Sequence, residues 1–248
     1  MSAAAHDVCL TTGRIQVVFE EELFRLGALI HDRFDDGERL FLRAVLPAEE
    51  EVQPRDAVKA GVALRFDQGR IAIHPYLLRQ VCTNGAVRAH AVQTRRIVLS
   101  EQATEEQAEE ELRAALRDCA APEAFREGVD EMRSAVDSEA DTLLNILPLV
   151  RRLAALQGMD SGAVAAILGD FLGGDDPSLF ALANAITAAA RETTDPDLRW
   201  RLEEMGGGVP VGADPDPEGR PVSAARAFPE SEWADSAERQ PPSLLVPA

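Results

Sequence analysis

The sequence predicts an α+β protein: a strand-rich basic part over residues 1–100, an acidic helical part over 101–208 and a disordered tail over 209–248. Three observations predict it. Apolar residues alternate with period two over residues 39–46 and again over 61–75. From residue 100 they recur at steps of three and four. Beyond residue 208, Pro, Gly, Asp, Glu and Ser dominate and no period survives.

The first elements are mixed. Val8-Cys9-Leu10 and Ile15–Val18 look like strands around Gly13, and Leu23, Leu26 and Ile30 give Glu20–His31 a helical spacing interrupted by Gly27. Arg39–Leu46 reads as a strand, with Leu40, Leu42 and Ala44 on one face and Phe41, Arg43 and Val45 on the other. Residues 61–75 read as a hairpin turning at Gln68-Gly69. That turn pairs Asp67 with Arg70, Phe66 with Ile71 and Leu64 with Ile73, and leaves Ala63, Arg65, Ala72 and His74 on a polar face. Pro75–Gly85 fits either a short helix closed by Asn84-Gly85 or a buried strand. Val87–Leu99 reads as extended.

The helical part has clear punctuation. Thr104 and Gln107 form a capping box, followed by Leu112, Ala115, Leu116 and Cys119. Pro122 suits a first helical position, and Phe125, Val129, Met132, Val136, Ala140, Leu143 and Leu147 continue one stripe that Pro148 should kink or end. Asp160 or Ser161, Asp176-Pro177 and Asp195-Pro196 start three further helices, and Gly206-Gly207-Gly208 ends the last.

Charge separates the two parts. Residues 53–99 carry eight basic side chains against Asp56 and Asp67, while residues 101–142 carry fourteen acids against four arginines. The net charge of -18 argues against a protein that coats DNA with its whole surface, but leaves room for a local anion site. Arg65, Arg70, Arg79, Arg88, Arg95 and Arg96 are the candidate contacts to nucleic acid backbone. Two structural accounts compete with that role: the basic part docks on its own acidic helices, or the arginines solvate strand faces. Aromatic residues are only 5%, which supplies a base-stacking platform poorly.

No catalytic residue is assigned. Cys9, Cys82 and Cys119 have no paired spacing, and His6, His31, His74 and His90 do not form a ligand pattern, so neither a metal nor a cofactor is expected. The acids of residues 101–111 read as a solvated helix face. No apolar run approaches a membrane span and the N-terminus lacks a signal-peptide pattern, so a cytoplasmic location without a membrane partner is expected.

One motif stands apart. Arg79-Gln80-Val81-Cys82-Thr83-Asn84-Gly85 sets a thiol, a hydroxyl and an amide beside a glycine. A nucleophilic Cys82 would need His74 or His90 nearby; the alternative is a buried thiol, with Asn84-Gly85 forming a turn or cap. Gly61–Gly69, Ile73–Arg79 and Val81–Gly85 together resemble the phage/plasmid-like family called domain of unknown function 932. That family has a strand pair leading into an Arg-x-Val-Cys-Thr-Asn run. Leu182–Thr187, with Asn184 at its centre, is similar to an Asn-Ala-Val-Thr element near the family's end, although the aromatic and His residues that often surround it there are absent. The resemblance implies an origin in phages, plasmids or related bacterial genomes, and no established activity.

Three functions follow as expectations. The first is a nucleic-acid-associated protein using the arginines, and the second a protein-interaction or scaffold protein using the acidic helices. The third is an enzyme centred on Cys82, Thr83 and Asn84.

Overall fold

The computed structural model describes residues 10–80, 84–89, 91, 93–99 and 103–211. They form an antiparallel sheet between helical layers, the α+β architecture expected. Strands β1 (Leu29–Asp35), β2 (Leu40–Gln53), β3 (Asp56–Asp67) and β4 (Arg70–Arg79) follow one another as neighbours. The far edge of β4 is shared: β5 (Asn84–Val87) lies beside residues 76–79 and β6 (Arg95–Val98) beside residues 70–73. Pro75 falls in the interval between them, where β4 pairs with neither and a missing N–H costs least. In the ambiguous Pro75–Gly85 stretch, residues 75–79 and 84–85 are therefore strand and Gln80 is a turn.

The central hairpin has the expected register. Asp67 faces Arg70, Phe66 faces Ile71 and Leu64 faces Ile73. Gln68 and Gly69 both take positive φ, 49° and 74°, as a two-residue turn that matches strand twist requires.

Residues 15–31 differ from expectation, while Val8 and Cys9, read as part of a strand, lie outside the described residues. Ile15–Val18 is not a strand; it lies in helix α1 (Thr12–Arg25), capped by the Thr11 side chain. Ile15, Val18, Phe19, Glu22 and Leu23 form its buried stripe, a helical period that the β-branched residues disguise. The helix expected over Glu20–His31 stops at Arg25. Gly27, at φ 75°, turns the chain, and Leu29 and Ile30 begin β1.

Helix α2 (Glu105–Cys119) has the predicted capping box. Helix α3 (Pro122–Val136) starts at Pro122 but ends earlier than the apolar stripe suggested. Asp141 Oδ1 accepts from the N–H groups of Leu143 and Leu144 and starts a π-helical turn over Thr142–Ile146. Such short-range capping competes with a continuous helix. Leu143 and Leu144 are consequently exposed, and Pro148 sits harmlessly in the first turn of α4 (Leu147–Ala155). Asp160 caps α5 (Ser161–Gly173). Ser178, rather than Asp176, caps α6 (Leu179–Glu192). Asp195 caps α7 (Pro196–Gly208).

Two layers cover the sheet. One face packs Leu40, Leu42, Leu64 and Ile73 against α1 and α2. Further along, the same face packs Val58, Ala60 and Leu77 against α3 and the start of α6. The other face carries Phe41, Ala63, Tyr76 and Val87, and Trp200 of α7 lies on it. α7 ends at Gly208, within the expected glycine run, but the first two glycines do more than mark its end. Gly206 and Gly207 lie inside it, where a Cβ would stand 2.3 Å from Thr187 Cγ2 and 2.2 Å from the Val87 carbonyl oxygen. They let α7 press on α6 and β5 together. Val209–Val211, expected as the start of the tail, form a 3-10 turn; residues 212–248 lie outside the described residues.

Cys119 illustrates the core between sheet and α2. Its thiol donates to the Gln93 carbonyl at 3.1 Å, and burial pushes its pKa up to about 12, above the ordinary 9.0. A raised folded pKa gives stability that is complete below the unfolded value and lost as pH rises. The loss should run at about 1.4 kcal/mol per pH unit above about pH 9. Denaturant titrations at about pH 8 and about pH 10 should show this loss in the natural chain and not in Cys119→Ser. Equal losses in both would remove Cys119 as the cause.

Candidate functional site

The six candidate arginines are spread over both faces and both ends of the sheet. Arg95 points to the α2 face, and its Nε and Nη2 hold Asp118 at 3.0 and 2.9 Å. Arg88 is 1% exposed and lies beneath α3. Its Nη1 donates to the Ala124 carbonyl at 2.6 Å, its Nη2 to Glu131 at 2.8 Å, and its stem crosses Gly128. Arg79 grips Asp56 with three contacts of 2.6–2.8 Å and lies 5.2 Å from the Phe180 ring centre. Arg65, Arg70 and Arg96 share the α7 face, because Arg65 and Arg96 both oppose Ala72 in register. Arg65 meets Asp197 of α7 at 2.8 Å and lies over Phe41. Arg96 is exposed and Arg70 half-buried. At least four of the six thus meet the chain's own carboxylates, three of these on the acidic helices α2, α3 and α7.

The face expected to be polar is buried. His74 has no exposed surface; its Nδ1 lies 3.2 Å from Thr94 Oγ1 and its ring packs 5.7 Å from that of Trp200. It is not the solvated histidine that the hairpin pattern suggested, because α7 covers it. Beside it lies a closed ring of charges. Arg43 meets Glu203 at 2.7 Å and Asp32 at 2.9 Å, while Arg199 meets Asp32 at 2.9 Å and Glu203 at 3.2 Å. Burial raises the Glu203 carboxyl above its usual range, against the pull of both guanidiniums. A ring whose every charge has two partners is a structural clamp for α7.

A cleft of about 520 Å³ lies where the β4–β5 end of the sheet meets α5 and α6. Its lining brings together Arg79 and Asn84 of the singled-out motif and Asn184 of the second element, one hundred residues further on. Gln53, Arg191 and the carboxylates Asp170, Asp175 and Asp176 join them, and Phe171 and Phe180 form apolar wall. Arg79 is held in place by Asp56 and serves as a rigid side of the cleft. Asn84 is 3% exposed, and its Oδ1 has no hydrogen-bond partner among the described residues. A buried amide oxygen without a donor costs about 1–3 kcal/mol.

Gly85 does not make the expected turn or cap. It is a β5 residue opposite Leu78, and a Cβ there would fall 1.7 Å from Tyr76 Oη. The glycine makes room for the tyrosine. Cys82, Thr83 and His90 lie outside the described residues. Among the described residues, no three His, Cys, Asp or Glu side chains are placed to hold a metal ion, and no helix is long and apolar enough to cross a membrane.

Sequence reasoning missed Gln53, Asp170 and Arg191, which carry no motif; only the fold brings them to the cleft. Arg43 had a signal, being a lone charge in an apolar strand. Comparison with family models, curated proteins and solved structures finds no match to this chain.

Proposed function

We propose that this is a non-enzymatic binding protein that holds a partner in the cleft formed by Arg79, Asn84 and Asn184. The supporting observation is convergence. The two segments that carry the resemblance to domain of unknown function 932 meet at one concave site, and a buried amide oxygen there lacks a donor. With the resemblance goes the rest of the reading: a protein of phage or plasmid ancestry, acting in the cytoplasm.

A nuclear magnetic resonance screen of small molecules and short peptides tests this. Ligands should shift the side-chain amide signals of Asn84, Asn184 and Gln53. Hits that map elsewhere, or none at all, would remove the cleft as the recognition site.

Nucleic-acid association is the second reading, and a specific observation favours it: Arg65, Arg70 and Arg96 share one face beside the Gln68-Gly69 turn. If they contact phosphates, replacing Arg70 and Arg96 together with Gln should weaken binding to single-stranded DNA. It should also reduce the slope of log K against log salt by roughly 0.7 per lost contact. No salt-sensitive binding of the natural chain at low ionic strength would end this reading.

A further inference from the structure

We infer that the cleft selects a cationic group rich in N–H donors, a guanidinium or primary ammonium. This inference rests on the cleft being the recognition site, and deepens that reading.

Two independent observations point the same way. The first is the sealed Asn84 Oδ1, an acceptor with no donor among the described residues. The oxygen is sealed in the free chain, and a ligand reaches it by a turn of the amide about its terminal torsion, which is broad in Asn. A ligand that satisfies it must bring an N–H or O–H. The second is charge. Asp170, Asp175 and Asp176 are exposed along one wall, and of these Asp176 accepts from the Ser178 N–H at 2.9 Å. Opposite them, the charge of Arg79 is matched by Asp56, which leaves Arg191 as the other basic side chain in the lining. Phosphate would meet these carboxylates, whereas a guanidinium is attracted by them and supplies the donor Asn84 needs. Phe171 and Phe180 offer apolar surface for the methylene arm behind such a head group.

A free diamine and an arginine or lysine side chain on a partner protein share this chemistry. Calorimetry with the full chain separates them, using agmatine, a blocked Gly-Arg-Gly peptide, the same peptide with citrulline in place of arginine, and inorganic phosphate. The arginine peptide should bind at least roughly tenfold more tightly than its citrulline counterpart, whose neutral urea still offers N–H donors but has lost the charge. Stronger binding of agmatine than of the peptide would assign the site to a small amine, and the reverse to a protein side chain. The exposed pair Asp170→Asn with Asp175→Asn leaves packing untouched and should weaken cation binding roughly threefold to tenfold. Asn84→Asp, if it folds, should strengthen it.

The outcomes divide cleanly. If phosphate or the citrulline peptide binds as well as the arginine peptide and shifts the Asn84 amide signal, the cation inference fails and the cleft stands. If no probe shifts that signal at roughly 10 mM, both fail.

Discussion

Glu203→Leu should lower the stability of the folded chain by about 3–5 kcal/mol. Glu203 and Arg43 are each 2% exposed along their side chains, so removing the carboxylate leaves a guanidinium sealed from water with only the partly exposed Asp32 as counter-charge. The cost is that of the stranded charge. It should therefore be largely recovered in the double variant Arg43→Met with Glu203→Leu, where neither buried charge of the ring remains and Asp32 still meets Arg199 at 2.9 Å. Denaturant titration reads both, with an unchanged m-value marking a true change in stability. A single variant within about 1 kcal/mol of the natural chain would show that the ring does not clamp α7.

Gly85→Ala should cost about 1–3 kcal/mol through overpacking. The added carbon would stand 1.7 Å from Tyr76 Oη and 2.3 Å from its Cζ. The ring has nowhere to retreat, since on its other side Gly61 is already close enough that a Cβ there would lie 2.9 Å from Tyr76 Cδ1. The clash predicts its own remedy. In a Tyr76→Ala background the same glycine substitution should be nearly free, so the two changes should couple strongly. Simple additivity would mean that Gly85 matters for backbone freedom and not for space.

That distinction shows where the sequence was legible. The hairpin register could be read because a period of two leaves one pairing that buries Leu64, Phe66, Ile71 and Ile73 together. The caps at Thr104, Asp160 and Asp195 could be read because their chemistry is local. Gly85 and the α7 glycines could not. Their role is set by Tyr76, Thr187 and Val87, residues that only the tertiary structure brings near. Arg88 and Arg65 failed in the same way: a charge on a strand looks solvated until a helix from far along the chain arrives to pair with it. At the cleft, the sequence singled out Arg79, Asn84 and Asn184 but had no means of joining them. α1 was misread for a different reason, since Ile15, Val17 and Val18 favour strand locally and the layer they pack against overrides that preference.

The position of α7 also has a consequence for synthesis. The second face of the sheet is completed by a helix that ends 110 residues after the last strand. Until that helix emerges, Phe41, Tyr76 and Val87 lack the cover of Trp200, and Arg43 lacks Glu203. At a translation rate of about 5–20 residues per second, the gap lasts roughly 5–20 s. Throughout it the nascent chain carries a half-built apolar surface, the kind of surface through which incomplete chains stick to one another and which chaperones shield.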